Sequence, residues 1–358
     1  MFLKKLELDN FRNFEHITVS FNNGLNIILG KNAQGKSNLL EAITVCALGK
    51  SYRNAKNDDM VMYHHNSFFI KCTVDDIGSD KTIEVFYKKG DKKYIRLNGS
   101  TISNINELFG NLNVVVFIPD DLKLLKQGPY ERRRFIDIDL IQIKPDYYYN
   151  VLQYGRVLKQ RNNLLKNQKQ YDMINIWDDQ LVLYGSKIVR DRMAFIKKIS
   201  QLLKEIHFDF MPEIKKVQLK YISNVVDSEN IEDSYRKRLR DSIESDIRFK
   251  TTTCGPHRDD IRFFIDDMDA RYFASQGQQR SLILSLKLAE MEIMKEDMGE
   301  YPVLLLDDVL SELDFERQES LLKILNKYQT IITGTHIQHN SNINAKKYIV
   351  ENRDIKEF

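Results

Sequence analysis

Residues 25 to 45 read LNIILGKNAQGKSNLLEAITV, and this stretch decides the fold. Residues 25 to 29 form a short apolar run typical of a buried strand, and residues 38 to 45 have the pattern of a helix. Between them, residues 30 to 37 match the pattern G-x-x-x-x-G-K-[ST] in full. A strand, a glycine-rich loop and a helix in this order predict a phosphate-binding loop.

The residue types in this loop explain why the pattern binds phosphate. Glycines let backbone N–H groups curl around the phosphate oxygens, and the N-terminus of the following helix adds positive potential. Lys36 is expected to neutralise the terminal phosphate oxygens, and the Ser37 hydroxyl to bind Mg²⁺. The alternative is an ordinary glycine-rich turn. The predicted nucleotide-binding residues of this loop are Gly30, Lys31, Asn32, Ala33, Gln34, Gly35, Lys36, Ser37 and Asn38.

A second buried strand is predicted near the other end of the chain. Residues 302 to 306 read PVLLL and lead directly into Asp307 and Asp308. A carboxylate at the end of such a strand, beside the phosphate-binding loop, can hold Mg²⁺ through water, and a neighbouring carboxylate can activate the attacking water. We therefore predict Asp307 as a metal residue and Asp308 as the catalytic base. The alternative is that both acids cap the next helix, because Ser311 and Asp314 form a helix-start pattern.

A third feature is a helix start with small and polar residues. Residues 273 to 280 read FASQGQQR and precede an amphipathic helix. Ser275 and Gln278 can form a capping box, which requires no ligand. A serine and a glycine at a helix N-terminus also make a second phosphate-binding end. Since one nucleotide cannot readily use both helix starts of one chain, the pattern indicates a site shared between two chains.

Length and composition predict a globular protein with two domains or two lobes. The chain has 358 residues, of which 42% are hydrophobic and 29% charged, and a typical domain has about 150 residues. No apolar run approaches the ~18 residues of a membrane span, and the N-terminus lacks the apolar segment of a signal peptide. Three separated cysteines exclude a disulfide scaffold and a cysteine-based zinc site. We expect a reduced, cytoplasmic protein without a membrane partner.

The hydrophobic pattern divides the chain into three parts. Residues 1–128 are mostly strand-like with one early helix, and residues 129–250 have the spacing of long amphipathic helices. Residues 251–358 return to alternating strands and helices. We predict an α/β fold in which one head is assembled from both ends of the chain, with a mainly helical arm inserted between them.

The inserted segment is also the basic part of the chain. The net charge of the whole chain is only +3, but residues 126 to 250 contain 25 Lys and Arg against 18 Asp and Glu. Basic clusters lie at residues 132–134, 156–161, 187–192 and 236–240. Together they indicate a surface for a polyanion, and the alternative is a set of solvated helix faces.

These motifs together resemble the ATPase head of the SMC and RecF group of ABC-type ATPases, and the RecF family in particular. Residues 275–279, SQGQQ, stand in place of the signature motif of the group. Four further segments are similar to that family and occur in the same order: residues 10–14 (NFRNF), 119–137 (PDD to FID), 255–260 (GPHRDD) and 305–314 (LLDD to SELD). The resemblance covers nearly the whole chain and is more specific than the phosphate-binding loop alone.

The resemblance implies how the motifs work together. ATP with Mg²⁺ would be bound by Lys36 and Ser37 of one subunit. Ser275, Gly277 and Gln278 of a second subunit would cap the same nucleotide. ATP would therefore close a homodimer.

Further residues receive roles from the resemblance alone. Arg12 would lie near the nucleotide, Asp314 would contact the partner subunit, and His336 would sense the terminal phosphate during catalysis. The alternative for His336 is an ordinary loop histidine. The chain departs from the group at Ile118, where a glutamine that senses Mg²⁺ is expected, and at Gln127, where a small residue is favoured.

The resemblance also implies an activity, that of an ATP-dependent recombination mediator with weak, DNA-stimulated ATPase activity. The dimer would close on duplex DNA at single-strand/double-strand junctions such as gapped DNA, and hydrolysis would release it. With RecO and RecR it would aid RecA loading in DNA replication, recombination, repair and the SOS response, in the cytoplasm and associated with the nucleoid. The alternative from another class is a P-loop phosphotransferase acting on a small substrate.

Overall fold

The chain folds into two units in the computed structural model. One unit consists of Met1–Asp121 together with Glu290–Phe358, and the other of Leu122–Ala289. The structure describes residues 1–76, 78–167, 173–210, 214, 216–225, 230–312, 315–335 and 344–358.

Strands dominate the first part of the chain, helices dominate the middle, and helices and strands alternate in the last part. The strands are β1 (Phe2–Phe11), β2 (Phe14–Ser20), β3 (Leu25–Leu29), β4 (Ser67–Asp76), β5 (Ser79–Lys88), β6 (Tyr94–Leu97), β7 (Ser100–Thr101), β8 (Val114–Phe117), β9 (Val217–Ile222), β10 (Asp260–Ile265), β11 (Met268–Asp269), β12 (Val303–Asp307), β13 (Thr330–Gly334), β14 (Ala345–Glu351) and β15 (Asp354–Glu357). The helices are α1 (Lys36–Leu48), α2 (Asn57–Met60), α3 (Lys123–Lys126), α4 (Pro129–Ile143), α5 (Pro145–Asn167), α6 (Ile174–Phe210), α7 (Ile231–Asp241), α8 (Ile243–Phe249), α9 (Ala270–Phe273), α10 (Gln276–Met298) and α11 (Phe315–Leu325).

A mainly parallel sheet in the first unit carries the phosphate-binding loop. Its strand order is β15-β14-β3-β13-β12-β8, and only β15 runs antiparallel to its neighbour. Every residue of β12 and β13 is buried, which explains their continuous apolar sequences. The parallel strands β3, β13 and β12 end at the same edge of the sheet, and this arrangement brings the loop after β3 close to the end of β12.

The other sheet of the first unit is antiparallel, with the strand order β2-β1-β4-β5-β6-β7. Its strands alternate between buried and more exposed residues, as expected when one face packs on the core and the other faces solvent. The α/β fold predicted from the sequence is therefore confirmed, and this unit contains two sheets.

The second unit combines the helices α3 to α9 with a small sheet of order β11-β10-β9. Its longest elements, α5 and α6, have 23 and 37 residues, and they pack against each other. Helix α10 begins in this unit and continues into the first. The sequence pattern did not indicate β9, which pairs with β10 across a separation of about 40 residues.

Three arginines of the basic segment are buried in ion pairs inside the second unit. Arg161 is fully buried, where its guanidinium donates to the carboxylates of Asp178 at 2.5 Å and Asp246 at 2.6 Å. Arg192 and Arg132 are also buried. Because a buried charge requires a partner, these side chains tie distant parts of the unit together.

The segment at residues 255–260 is the centre of this buried polar region. The Arg192 guanidinium donates to the Pro256 carbonyl oxygen at 2.8 Å, and Arg132 forms a two-point contact with Asp260 at 2.6 and 3.1 Å. Gly255 has φ 130°, and a Cβ atom there would overlap the hydroxyls of two tyrosines. The conformation and the crowding both require glycine at this position. These contacts give the GPHRDD segment a structural role.

His257 in the same segment makes the stability of the second unit depend on pH. Its Nδ1 atom bonds to the Tyr154 hydroxyl at 2.7 Å and its Nε2 atom to the Thr252 carbonyl oxygen at 3.1 Å. Burial lowers the pKa of His257 from 6.5 to about 4, although the bond to Thr252 opposes the shift. Between these two pH values His257 is protonated in the unfolded chain but stays neutral in the folded chain. Acidification therefore lowers the free energy of unfolding.

We expect His257→Gln to remove this pH dependence. The wild-type chain should lose about 2 to 3 kcal/mol more stability than the variant when the pH falls from 7 to 4, and the stabilities of the two should change in parallel above pH 7. Urea unfolding across this range, with His64→Gln at an exposed position as the control, measures the difference. Parallel stability curves for wild type and His257→Gln would show that His257 does not carry the effect.

Candidate nucleotide-binding site

The backbone of the phosphate-binding loop is fixed by its glycines and by Asn13. Gly35 has φ 108° and directly precedes α1, and a Cβ atom there would overlap the Asn13 side chain. Asn13 donates from Nδ2 to the Gln34 carbonyl oxygen at 2.7 Å, and its Oδ1 accepts from Asn38 at 2.8 Å. A Cβ atom on Gly30 would lie 2.5 Å from the Val350 carbonyl oxygen. Both glycines are therefore required for the loop to keep this shape.

The Lys36 ammonium group is bound to the loop itself. It donates to the carbonyl oxygens of Gly30 at 2.8 Å and Lys31 at 3.0 Å, which leaves one of its three N–H donors for another acceptor. Burial lowers the pKa of Lys36, and the nearby carboxylates of Asp308 and Asp307 oppose that shift. The loop thus presents a positive charge where phosphate oxygens would lie.

Asp307, at the end of β12, meets Ser37 at the start of α1. The Ser37 hydroxyl donates to Asp307 Oδ1 at 2.7 Å, and the Thr333 hydroxyl of β13 donates to the same atom at 2.8 Å. The Tyr52 hydroxyl donates to Oδ2 at 3.1 Å. A hydroxyl and one carboxylate are oxygen ligands of the kind that Mg²⁺ uses beside phosphate groups. Among the described residues no cluster of three or more His, Cys, Asp or Glu forms a separate metal site.

Asp308 follows with its side chain in a different environment. Its φ is 53°, and its backbone N–H donates to the Thr333 carbonyl oxygen at 3.2 Å and to its hydroxyl at 3.1 Å. Its Oδ1 atom is buried and accepts no hydrogen bond within the described part of the chain. A buried carboxylate oxygen with a free lone pair is suited to accept a proton from water. The Asp307 side chain, by contrast, accepts hydrogen bonds from Ser37 and Thr333.

Arg12, predicted near the nucleotide, is held by a residue that the sequence did not single out. Its guanidinium forms a two-point contact with Glu41 of α1 at 2.7 and 2.8 Å, and it donates to the Asp59 carbonyl oxygen at 2.6 Å. Glu41 is completely buried and also accepts from Ser51 at 2.5 Å. These contacts fix Arg12 against the helix that begins at the loop.

Tyr52 and Arg53 are further site residues that sequence reasoning missed. The Arg53 Nη2 atom lies 3.6 Å from Asp307 Oδ2, and the Nη1 atom donates to Asn38 Oδ1 at 3.1 Å. The guanidinium group also packs over the Tyr52 ring. The sequence contained one indication of their role. Tyr52 and Arg53 are an aromatic and a basic residue that follow Gly49, the residue that ends α1, by three and four positions. Only the fold shows that this turn lies beside Asp307.

The helix start in the second unit has the capping box that its sequence allows. The Ser275 backbone N–H donates to Gln278 Oε1 at 2.9 Å, and the Gln278 N–H donates to the Ser275 hydroxyl at 3.2 Å. Ser275 is exposed and Gly277 is half-buried. Tyr272 and Phe273, just before it, are also exposed. The predicted residues Asp314 and His336 lie outside the described residues.

The basic surface of the second unit is smaller than its sequence indicates. Arg132, Arg161 and Arg192 are buried in the ion pairs described above, and they are not available to a polyanion. Among the exposed residues, Arg236 pairs with Asp179 and Arg190 with Glu232. The remaining exposed cations include Arg156, Lys159, Lys187, Lys237, Arg238 and Arg240. No helix in the described part of the chain is long and apolar enough to cross a bilayer.

Comparison with known proteins gives consistent matches over nearly the whole chain. The model of the RecF/RecN/SMC N-terminal domain family matches residues 2–354. The DNA replication and repair protein RecF of Clostridium perfringens is 43% identical over 339 residues, which cover 94% of each chain. The protein of the same name from Clostridium botulinum is 41% identical over 362 residues, 99% of this chain and 100% of the relative.

Solved structures agree with these relatives. A structure described as the recombination mediator protein RecF with ATP, in the RecFOR pathway, superposes with a TM-score of 0.91 at 34% identity, covering 100% of this chain and 97% of the other. An Smc head bound to the C-terminal winged-helix domain of ScpA superposes with a TM-score of 0.59 at 16% identity, covering 100% and 97%. The Smc likeness concerns the fold alone.

Proposed function

The chain belongs to the RecF family of ABC-type ATPases, and from this premise we propose that it is an ATP-dependent, DNA-binding recombination mediator. ATP would close a homodimer on duplex DNA at a single-strand/double-strand junction, and hydrolysis would open it. The observation that carries the proposal is the contact of Ser37 with Asp307, two residues that are 270 positions apart and 2.7 Å from each other.

Binding of the triphosphate follows from the loop geometry. The Lys36 ammonium group would exchange its carbonyl contacts, or use its remaining donor, for phosphate oxygens, and such charge-assisted hydrogen bonds are stronger than neutral ones. Ser37 and Asp307 would hold Mg²⁺, which would neutralise charge on the phosphates. Thr333 and Tyr52 orient the Asp307 carboxylate through the bonds described above.

Hydrolysis would depend on Asp308. Its unbonded Oδ1 atom would accept a hydrogen bond from a water molecule and orient that water for attack on the terminal phosphate. The backbone N–H of Asp308 donates two hydrogen bonds to Thr333. These bonds hold the residue in place before the reaction begins. Catalysis would therefore come from positioning rather than from a covalent intermediate.

Dimer closure would come from the helix start of the second unit. The first turn of a helix leaves backbone N–H groups unpaired and carries a positive potential. The exposed Ser275, with Gly277 and Gln278, would direct these groups at the nucleotide of the partner. Such a shared site would make dimerisation depend on ATP.

The DNA and protein partners are proposed from the family and from charge. The exposed cations of the second unit would contact phosphates of duplex or gapped DNA. The structural relative is described as part of the RecFOR pathway, and we extend to this chain a role with RecO and RecR in loading RecA, in the cytoplasm at the nucleoid. ATP turnover stimulated by DNA, rather than by a small metabolite, would separate this function from that of a phosphotransferase.

The test is the particle mass in solution with and without ATP, Mg²⁺ and gapped DNA. We expect monomers without nucleotide and dimers with ATP and Mg²⁺, and we expect DNA to stabilise the dimer. Equal dimer fractions with and without ATP would contradict the proposal.

Ser275→Arg separates nucleotide binding from closure. The larger, charged side chain should block the partner's phosphates while the Lys36 site of the same chain stays intact. We expect unchanged ATP affinity and at least a tenfold lower dimer fraction, measured by fluorescence titration and sedimentation. Asn163→Arg, at an exposed position of α5, is the control. A normal dimer in Ser275→Arg would leave the capping box as the only role of this residue.

A further inference from the structure

The outward face of the antiparallel sheet presents a row of three aromatic side chains. Phe69 of β4 pairs directly with Phe86 of β5, which pairs directly with Tyr94 of β6. Phe86 and Tyr94 are 40% and 44% exposed. The solvent-facing side of such a sheet normally has polar residues, so large exposed aromatics in register are informative.

These rings border an open groove with charged residues on one side. The groove has a volume of about 420 Å³ and is lined by the three aromatics, Glu84 and Arg96. Glu84 forms an ion pair with Lys71 at 3.4 Å, whereas Arg96 is exposed and has no ion pair among the described residues. The groove thus combines flat apolar surfaces with an available guanidinium group.

The hairpin that joins β5 to β6 adds further positive charge. Residues 88–93 read KKGDKK, four lysines and one aspartate. The Lys88 and Lys92 side chains are exposed, and Lys88 lies on the same face of β5 as Phe86 because the two are two residues apart. Asp91 accepts a hydrogen bond from the Tyr94 hydroxyl at 3.4 Å, which restrains the ring.

We propose that this sheet face, defined by Phe69, Phe86, Tyr94 and Arg96, is a stacking platform for the unpaired bases of single-stranded DNA. Aromatic rings beside a basic rim are the combination that proteins use for single strands, because bases stack on the rings and phosphates contact the cations. A purely apolar partner would not match the charged rim. Each chain carries its own platform, so this proposal does not require the ATP-closed dimer.

The test uses a single-stranded oligonucleotide of about 12 nucleotides, within the range of single-strand sites, with 2-aminopurine at its centre. Titrated with nucleotide-free protein, the fluorescence should fall as the base stacks. Phe86→Ala and Tyr94→Ala should each weaken binding about tenfold, because one base–aromatic stack is worth about that much. Phe86→Trp should retain binding, which separates loss of the ring from misfolding.

Tyr130→Ala, an exposed aromatic of the second unit, is the matched control and should bind as wild type. Duplex binding and ATP-dependent dimerisation should be unchanged in Phe86→Ala, so failure of the platform and failure of the proposed function give different results. Three outcomes would overturn the proposal. The first is no fluorescence change with the wild-type protein, and the second is equal oligonucleotide affinity in Phe86→Ala and Tyr94→Ala. The third is a changed oligomeric state of these two variants, which would show that the face binds a second copy of the protein.

Discussion

Lys36→Ala should lose ATP binding and ATP-dependent dimerisation together. The Lys36 ammonium group is the positive charge in the mouth of the loop, where it is held by two carbonyl oxygens. If the ammonium group uses its remaining donor and exchanges one carbonyl contact, it makes two bonds to phosphate. Each hydrogen bond to a charged group is worth about 1.5 to 3 kcal/mol, so the loss of both corresponds to at least a hundredfold lower affinity. Burial lowers the pKa of Lys36, but the carboxylates of Asp307 and Asp308 oppose the shift and favour the charged form.

The measurement is a titration with a fluorescent ATP analogue, followed by sedimentation in saturating ATP and Mg²⁺. Lys347→Ala removes an exposed lysine from β14 of the same sheet and should behave as wild type. If Lys36→Ala formed dimers in ATP as readily as the wild-type chain, the assignment of the phosphate site would be wrong.

The elements around the loop could be predicted because the residues that determine them are neighbours in the sequence. The apolar run of β3, the loop pattern and the helix after it are adjacent in sequence, and the fold contains them in that order. The contact between Ser37 and Asp307 was also predictable, since both residues follow parallel strands at one edge of the sheet. The RecF family and the ABC-type α/β fold, predicted from these motifs, are confirmed by the relatives and the structural matches.

The sequence did not show which strand lies between the two halves of the site. β13 separates β3 from β12, and it supplies Thr333, whose hydroxyl holds Asp307 and whose backbone holds Asp308. The strand itself was predicted, but the role of a hydroxyl at its end depends on strand order. Strand order is set by long-range packing that a single sequence does not display.

Buried ion pairs are the second reason why part of the site could not be predicted from the sequence. A basic residue indicates an exposed surface unless its acidic partner is known, and the partners are far away in sequence. Arg132 contacts Asp260 across 128 positions and Arg161 contacts Asp246 across 85. The surface available to a polyanion is therefore smaller than the charge excess of the helical segment indicates. The exposed lysines and arginines of the segment are still available to it.

Asp308→Asn should bind ATP and form the dimer, but should hydrolyse ATP at least a hundredfold more slowly. A positioned general base typically contributes 10²- to 10⁴-fold, and an amide at the same position cannot accept the proton. The substitution preserves the backbone, because asparagine tolerates the left-handed conformation that Asp308 adopts at φ 53°. The two bonds from its N–H to Thr333 are also retained, so nucleotide binding should change little.

In the proposed cycle ATP closes the dimer and hydrolysis opens it, so slow hydrolysis should make dimers accumulate on gapped DNA. Phosphate release and sedimentation in the same samples measure both quantities. Asp307→Asn is the informative comparison: it disturbs the carboxylate that accepts from Ser37 and Thr333, so it should raise the Mg²⁺ concentration needed for ATP binding, whereas Asp308→Asn should not. Unchanged turnover in Asp308→Asn would assign the base to another residue, and a lost dimer would show that the Asp308 charge supports binding rather than the hydrolytic step.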